Sequence, residues 1–315
     1  MHQKILLSFR PKMNKIINYI RNPKVFFNVL LTHLAPLIKK DDIFIKLSWM
    51  ISMDYPLDLK NPKTYNEKLQ WLKLYYRKPE FTMMVDKVKV KEYVASVLGD
   101  EFIIPTIGVW DDPDKIDFDK FPEKFVLKCN HNSGKGMFIC HDKSKMNVEN
   151  VKSELRKGLS ENYYLINREW PYKNVPRCVL AERFLEPSSD ENDLRDYKLF
   201  CFDGKVKLIE VDYNRFIHHN RNLYSPDWKR LDVEIEFPSE PGVEFERPEG
   251  LEIAIEAAEK LSKNIPHVRV DFYIVNGHVY FGEMTFFHGS GHEKITPFSF
   301  DQEMGSWIHI TNIMN

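Results

Sequence analysis

The sequence predicts an α+β fold, and three observations predict it. Two runs rich in Val, Phe, Tyr and Leu turn back on themselves at Asp203-Gly204 and Asn276-Gly277, dipeptides that accept positive φ and so close tight hairpins. Helical periodicity appears at about 64–75, 81–98, 148–159, 249–263 and 301–313, before, between and after the strands. From Phe102 the pattern changes to short apolar runs, FIIP, IGVW and KFVLKC. At 315 residues, 43% hydrophobic and 29% charged, the chain is long enough for two or three subdomains.

The N-terminal stretch has its own character. The net charge is -1, which gives no sign of a nucleic-acid partner, but residues 1–40 hold eight Lys/Arg and no Asp or Glu, so the remainder carries -9. Helices are expected at 12–22, with Ile16, Ile17 and Ile20, and at 24–38, with Phe26, Phe27, Leu30 and Leu34. Two readings stand side by side: the basic helix pair lies on an anionic membrane, each cation contributing about 1 kcal/mol, or it packs on the body and shows its lysines to water. Asn28, Thr32, His33 and Pro36 interrupt the apolar region Val25 to Ile38, which is shorter than the roughly 18–20 residues of a spanning helix. No small-residue cleavage site follows it. Cys129, Cys140, Cys178 and Cys201 have no CxxC spacing and sit in apolar contexts, as expected of buried thiols in a reducing compartment. The expectation is a cytoplasmic protein, at the inner face of the membrane if the N-terminus docks; the oligomeric state is open.

Next in order, Asn61-Pro62-Lys63 breaks the chain, and Thr64 with Glu67 forms a capping box for a helix ended by Pro79. A second helix is expected from Phe81 to Leu98, stopped by Gly99, with Asp86, Lys87, Lys89 and Lys91 mostly on a solvated face. After the strand Lys124 to Cys129 comes Asn130-His131-Asn132-Ser133-Gly134-Lys135-Gly136 and a returning run, Met137 to Cys140. Such a loop can wrap phosphates because backbone N–H groups approach closely where side chains are absent; it is equally an ordinary hairpin turn, and it is not a Walker A loop. Lys128, late in an apolar strand, requires an anionic partner. The strand Arg177 to Leu185 sets Glu182 among apolar neighbours.

In the hairpin that turns at Asp203-Gly204, Asp196 and Lys198 share one face. Residues 213–250 read as irregular with short strands. The last hairpin, His267 to Thr285, carries Arg269 and Asp271 on one side of its first strand and Glu283 and Thr285 on one side of its second. A two-residue turn pairing Val275 with His278 leaves Asp271 and Glu283 on opposite faces; an odd-residue loop or a bulge, with Gly277 at positive φ, brings them together. Carboxylates sharing a face suit Mg2+, a hard ion completed by phosphate oxygens and water; the competing reading is a solvated sheet face.

Taken together, Asn61-Pro62-Lys63-Thr64-Tyr65-Asn66-Glu67-Lys68, FVLKCNHNSGKG, LRDYKLFCFDG and VRVDFY followed by YFGEMTFFHGSG resemble, in order and spacing, the ATP-grasp superfamily, specifically its teichuronopeptide-biosynthesis (TupA-like) branch from bacterial surface-polysaccharide clusters. The resemblance covers about Asn61 to Ile308. It implies two α+β lobes clamping ATP between antiparallel sheets, divided as a basic helical extension at 1–60, a preceding region at 61–120, a lobe with the phosphate loop at 121–182 and a lobe with the metal hairpin at 183–315. By the same resemblance Lys128 contacts the α/β phosphates, and Ser133, Gly134, Lys135 and Gly136 fold over the β/γ phosphates. Glu182 lies near adenine, backbone atoms of Arg183 and Phe184 read the base edge, Asp196 accepts from the ribose and Lys198 reaches a phosphate. Asp271 and Glu283 hold Mg2+, and Arg269 stabilises the transferring phosphoryl. Thr285 departs from the pattern, since many relatives place Asn there as a metal ligand; its hydroxyl still offers one oxygen.

The implied activity is an ATP-dependent carboxylate–amine ligase joining an amino acid or other amine to a uronic acid of a surface polysaccharide or its precursor, through an acylphosphate. His288 and His292, just past the hairpin, fit either a structural or a catalytic part. Two alternatives accompany it: a glycosyltransferase using Asp117-Phe118-Asp119 for its metal, and a non-catalytic ATP-binding partner.

Overall fold

The chain enters through helices. In the computed structural model, which describes residues 22–187, 194–213 and 219–310, α1 (Pro23–Leu34) and α2 (Asp41–Ser52) pack on each other through Leu31, Ala35 and Phe44. All but the last residue of the helix expected at 12–22 lies outside the described residues. Asp41 ties α2 to the body, meeting Arg77 at 2.6 Å and the Tyr164 hydroxyl. Arg168 completes the joint: its guanidinium lies 4.5 Å from the Phe44 ring centroid and donates to the carbonyls of Ala35 and Ile38 at 2.7 Å each.

Helix α3 (Tyr65–Tyr75) starts as its sequence dictates. Thr64 Oγ1 accepts from the Glu67 N–H at 3.1 Å and Glu67 returns the bond to the Thr64 N–H at 3.0 Å, satisfying orphan donors at both ends of the box. The single helix expected at 81–98 is instead two, α4 (Glu80–Val85) and α5 (Val90–Leu98). The break is at Asp86, whose buried carboxylate takes the Val88 N–H at 3.0 Å and Asn130 Nδ2 at 2.9 Å, so the side chain competes with the helical ladder and wins.

The expected strand FIIP is not formed; Asp100–Phe102 is a 3-10 turn. A first antiparallel sheet follows from β1 (Thr106–Trp110), β2 (Phe125–Cys129), β3 (Phe138–Cys140) and β4 (Val179–Arg183), in the order β1-β4-β2-β3. Helix α6 (Val148–Ser160) buries Val151 and Leu155 in the same cluster as Phe125, Leu127, Val179 and Ala181. The short helix α7 (Tyr164–Asn167) leads back to β4. This sheet takes β1 from the 61–120 stretch, and the 182/183 boundary runs through β4.

The remaining elements are β5 (Asp196–Phe202), β6 (Lys205–Tyr213), β7 (Asn220–Tyr224), β8 (Glu234–Ile235), α8 (Leu251–Leu261), β9 (His267–Val275), β10 (His278–Thr285), β11 (Ile295–Thr296) and α9 (Phe298–Ser306). Five of them form the second antiparallel sheet, β10-β9-β5-β6-β7, while β8 pairs with β11. Alternation divides the large sheet cleanly: Leu199, Val270 and Met284 stand in register on the side covered by α8, where Cys201 Sγ reaches the Ala258 carbonyl. The other side carries the charges described below. Helix α9 begins before Asp301 and ends at Ser306, shorter than the 301–313 expected, and residues 311–313 fall outside the described set. Its Asp301 accepts from the Asn66 N–H at 3.2 Å, seating it on α3.

His267 shows how tightly this packing sets a protonation state. Its Nδ1–H donates to the Cys201 carbonyl at 3.0 Å, and its Nε2 lies 2.9 Å from the Tyr65 hydroxyl, which donates to it when the ring is neutral. Burial pushes the imidazole down to about 3. Because its folded value lies below the unfolded one, the stability His267 contributes is complete above about pH 6.5 and is lost as pH falls toward 3. The expected result, read by denaturant unfolding across this window, is that wild type loses its advantage over His267→Gln as pH falls, by about one proton per molecule. A gap that does not change with pH would show that the ring is charged in the fold.

Candidate active site

The metal question turns on one glycine. Val275 pairs with His278 across a two-residue turn, with Asn276 at φ 49° and Gly277 at φ 77°, the form that alone would separate the carboxylates. A bulge between Phe281 and Glu283 resets the register, so Glu283 stands opposite Asp271 and Thr285 opposite Arg269. The extra residue is Gly282, where a Cβ would approach the Asp271 carbonyl to 3.0 Å.

Register then extends the charges across the sheet. Glu283, Asp271, Lys198 and Glu210 are successive partners on β10, β9, β5 and β6, and Asp212 on β6 faces Arg221 on β7. Arg269 grips Asp271 through both oxygens, at 2.7 and 2.6 Å, donates to Thr285 Oγ1 at 3.2 Å and meets His288 Nδ1 at 2.5 Å. Lys198 lies between Glu210, at 3.2 Å, and Asp212. Arg221 joins Asp212 at 2.8 Å, Glu210 at 3.1 Å and Glu293 at 3.0 Å, and His288 Nε2 is 2.8 Å from Glu293.

Burial raises the cost of each negative charge, and the neighbours decide which survive. Glu283 is pushed up by burial, but Lys87, Arg269 and Lys128 outweigh it and hold the carboxyl at about 2. Asp271 goes the other way: burial carries it up to about 6 in spite of Arg269. Against the same burial penalty, His288 and Arg221 hold Glu293 at about 2, and Lys198 and Arg221 keep Asp212 well below the usual range.

The first sheet, α5 and the segment before it supply the facing cations. Lys128 on β2 is 2.5 Å from Glu182, and Glu182 also binds Lys91 at 2.5 Å, so the buried anion has two ammonium partners. Lys91 also donates to the Ile104 carbonyl and Thr106 Oγ1, both at 2.8 Å. Lys87 donates to the Asn132 carbonyl at 2.8 Å and comes within 3.4 Å of Glu283, bridging the glycine loop and the hairpin. The expectation that Lys87 and Lys91 lie on a solvated face is therefore corrected: the break at Asp86 ends α4, and both side chains are directed to buried partners.

The loop after β2 turns at Gly134 and Gly136, with φ 85° and 69°. A Cβ at Gly136 would collide with Cys129 Sγ. Ser133 stays exposed, and Lys135 is engaged by Glu161 at 2.6 Å. Protein partners take up two of the groups expected to meet the nucleotide. The Arg183 N–H donates to the Pro105 carbonyl at 3.0 Å, and Phe184 beyond it is half-buried near His141. Lys198 is enclosed by Glu210 and Asp212. Asp196 lies opposite Tyr273 and bonds its hydroxyl.

Past the hairpin, Gly289, Ser290 and Gly291 all take positive φ. Gln70 clamps this turn through the Ser290 and Gly291 carbonyls at 2.9 and 2.8 Å, and Lys73 adds a 2.7 Å bond to Ser290. His292 Nε2 is 3.2 Å from Ser48 on α2, a structural contact, whereas His288 stays among the charges.

Among the described residues no three His, Cys, Asp or Glu side chains form a metal cluster. Two carboxylates and a hydroxyl do fit a hard ion that takes its other ligands from phosphate and water, and Glu283, 35% exposed, already holds cationic nitrogens at 3.4 and 3.6 Å. Glu210, Asp212, Arg221 and Glu293 were not singled out from sequence. Period-two alternation through KVKLIEVD places Glu210 and Asp212 on one face and would have found that pair. The alternative metal triplet is spent locally, Asp117 accepting from the Asp119 N–H at 3.2 Å and pairing with Lys120 at 3.1 Å.

The family model described as TupA-like ATPgrasp matches residues 67–309. Among solved structures the chain is similar to D-alanine–D-alanine ligase from Bacillus anthracis complexed with ATP, at 17% identity over 65% of this chain and 55% of that one with a TM-score of 0.40. It is also similar to D-alanine–D-alanine ligase from Helicobacter pylori (13%, 78% and 68%, 0.42) and to L-amino acid ligase from Bacillus licheniformis (14%, 81% and 57%, 0.41). The chain thus covers little more than half the length of the first of these. A search of curated proteins returned no match.

The ion pairs sort the site into parts that hold the fold and parts that wait for a ligand. Arg221→Met leaves Glu210, Asp212 and Glu293 short of their shared cation, and the expected loss is about 3–5 kcal/mol by urea unfolding. Glu283→Gln, at a partly solvated position at the end of the row, is expected to lose clearly less than Arg221→Met. Equal losses for the two variants would contradict the division.

Proposed function

The chain belongs to the TupA-like ATP-grasp family and has its fold, and from that premise we propose that it is an ATP-dependent carboxylate–amine ligase. Its substrates are a uronic acid of a bacterial surface polysaccharide or its precursor and an amino acid or other amine, which it joins through an amide. The observation that carries the reading is the alignment of Glu283 with Asp271 by the Gly282 bulge, beside Arg269 and opposite Lys87.

Each group then has a physical task. Asp271, Glu283 and the Thr285 hydroxyl would hold Mg2+, which supplies positive charge to the phosphate oxygens when bound. Lys128 exchanges Glu182 for a phosphate, and Lys91 remains to keep Glu182 ionised. Lys87 and the backbone of 133–136 draw the terminal phosphate toward the hairpin, and Asp196 takes the ribose. A substrate carboxylate attacks the γ-phosphorus, giving an acylphosphate and ADP; the amine then attacks the acyl carbon and phosphate leaves with the C–O bond electrons. Arg269, held rigid by Asp271, is set to neutralise charge on the phosphoryl in transit. Lys198, beside Asp271, balances the row rather than meeting the nucleotide.

The test has two stages. ATP with Mg2+ is expected to raise the melting temperature, an effect worth about 2.7 kcal/mol at roughly 100 times Kd, and Glu283→Gln is expected to lose the Mg2+-dependent part. ADP release across a panel of amines and uronic acids, with mass spectrometry of the product, then identifies the amide. Binding without turnover on any pair would favour the non-catalytic alternative; no stabilisation by ATP and Mg2+ would sink the reading.

A further inference from the structure

We infer that the outward faces of α1 and α2 form a docking surface for an anionic lipid bilayer. The observation is independent of the ligase reading. On α1, Phe26, Phe27, Leu30 and Leu34 fall on one side at helical spacing and are each 41–50% exposed. On α2, Ile43, Leu47 and Met50 repeat every three to four residues on the side away from buried Phe44, Ile45 and Trp49, and Met50 is 76% exposed. Leu37, in the bend between the helices, is also 76% exposed.

Both helices are therefore apolar twice over. One side is accounted for, by Leu31, Ala35 and Phe44 between the helices and by Asp41 with Arg77 and Arg168 at the joint to the body. The other side has no cover among the described residues, and an apolar stripe of this length on a helix is a feature of surfaces that meet a second phase or a partner.

Charge selects the occupant. Lys39 and Lys40 sit exposed at the bend, Lys46 on α2 is balanced by Asp42 at 3.4 Å, and the 22 residues before α1 add five Lys/Arg, with no acid anywhere in 1–40. A second copy meeting this face about a two-fold axis would set Lys39 and Lys40 against their own kind, whereas anionic headgroups complement them. No described helix is long and apolar enough to cross a membrane, so the helices lie in the interface plane.

The test is sedimentation of the full chain with vesicles of phosphatidylcholine alone and of phosphatidylcholine and phosphatidylglycerol in equal parts. Wild type is expected to bind the anionic vesicles, weakly or not at all the neutral ones, and to release as salt rises. The triple variant Phe27→Glu, Leu30→Glu, Met50→Glu is expected to bind at least about tenfold more weakly with an unchanged melting temperature. Should that variant fail to fold, the exposed pair Lys39→Glu, Lys40→Glu carries the test with the same expected direction. Equal binding to both vesicle types, or undiminished binding by the folded variants, overturns the inference. So does light scattering that finds wild type dimeric and the triple variant monomeric, since the cover is then a second copy.

Discussion

A carboxylate buried beside another carboxylate must find a cation or give up its charge, and the large sheet is organised around that constraint. Its antiparallel register lines up Glu283, Asp271, Lys198 and Glu210 across four strands, and Arg221 and Arg269 close the row from either side. Desolvation makes every member costly alone, so removing one strands the next. Asp271, which burial carries up to about 6 in spite of Arg269, is the least settled member, and a bound divalent ion would favour its charged form.

How much of this could be read in advance depended on whether the cause was local. The Thr64–Glu67 box, the Asn276-Gly277 and Asp203-Gly204 turns and the strands of both sheets follow from residues within a few positions of each other, and they formed close to where they were expected. The facing of Asp271 and Glu283 was legible only as a condition, because whether Gly282 bulges is decided by pairing with β9. The split at Asp86 depends on Asn130, 44 residues away, and with it went the reading of Lys87 and Lys91. Period-two patterning hides charge when a face is buried: Glu210 and Asp212 look like a wet edge until Lys198 and Arg221 are placed over them.

The two sheets meet through ammonium groups. Lys87 touches the loop of one sheet and the hairpin of the other, and Lys91 and Lys128 share Glu182 between a helix and a strand. An ammonium on a four-carbon stem can change partners without moving the backbone, which suits positions where a polyanion must enter and leave. The guanidiniums, Arg221 and Arg269, are instead pinned by two or more bonds and set the frame against which the lysines move.

Helix α3 has a bearing on how the protein is made. Its hydrogen bonds reach far down the chain: Tyr65 to His267 across 202 residues, Gln70 to Ser290 across 220 and Lys68 to Ile308 across 240. At the usual pace of synthesis, about 5–20 residues per second, α3 is made on the order of ten to fifty seconds before those partners exist. Throughout that interval its apolar side and the Lys73 ammonium have only water or a chaperone for company, and the larger sheet cannot close on a nascent chain.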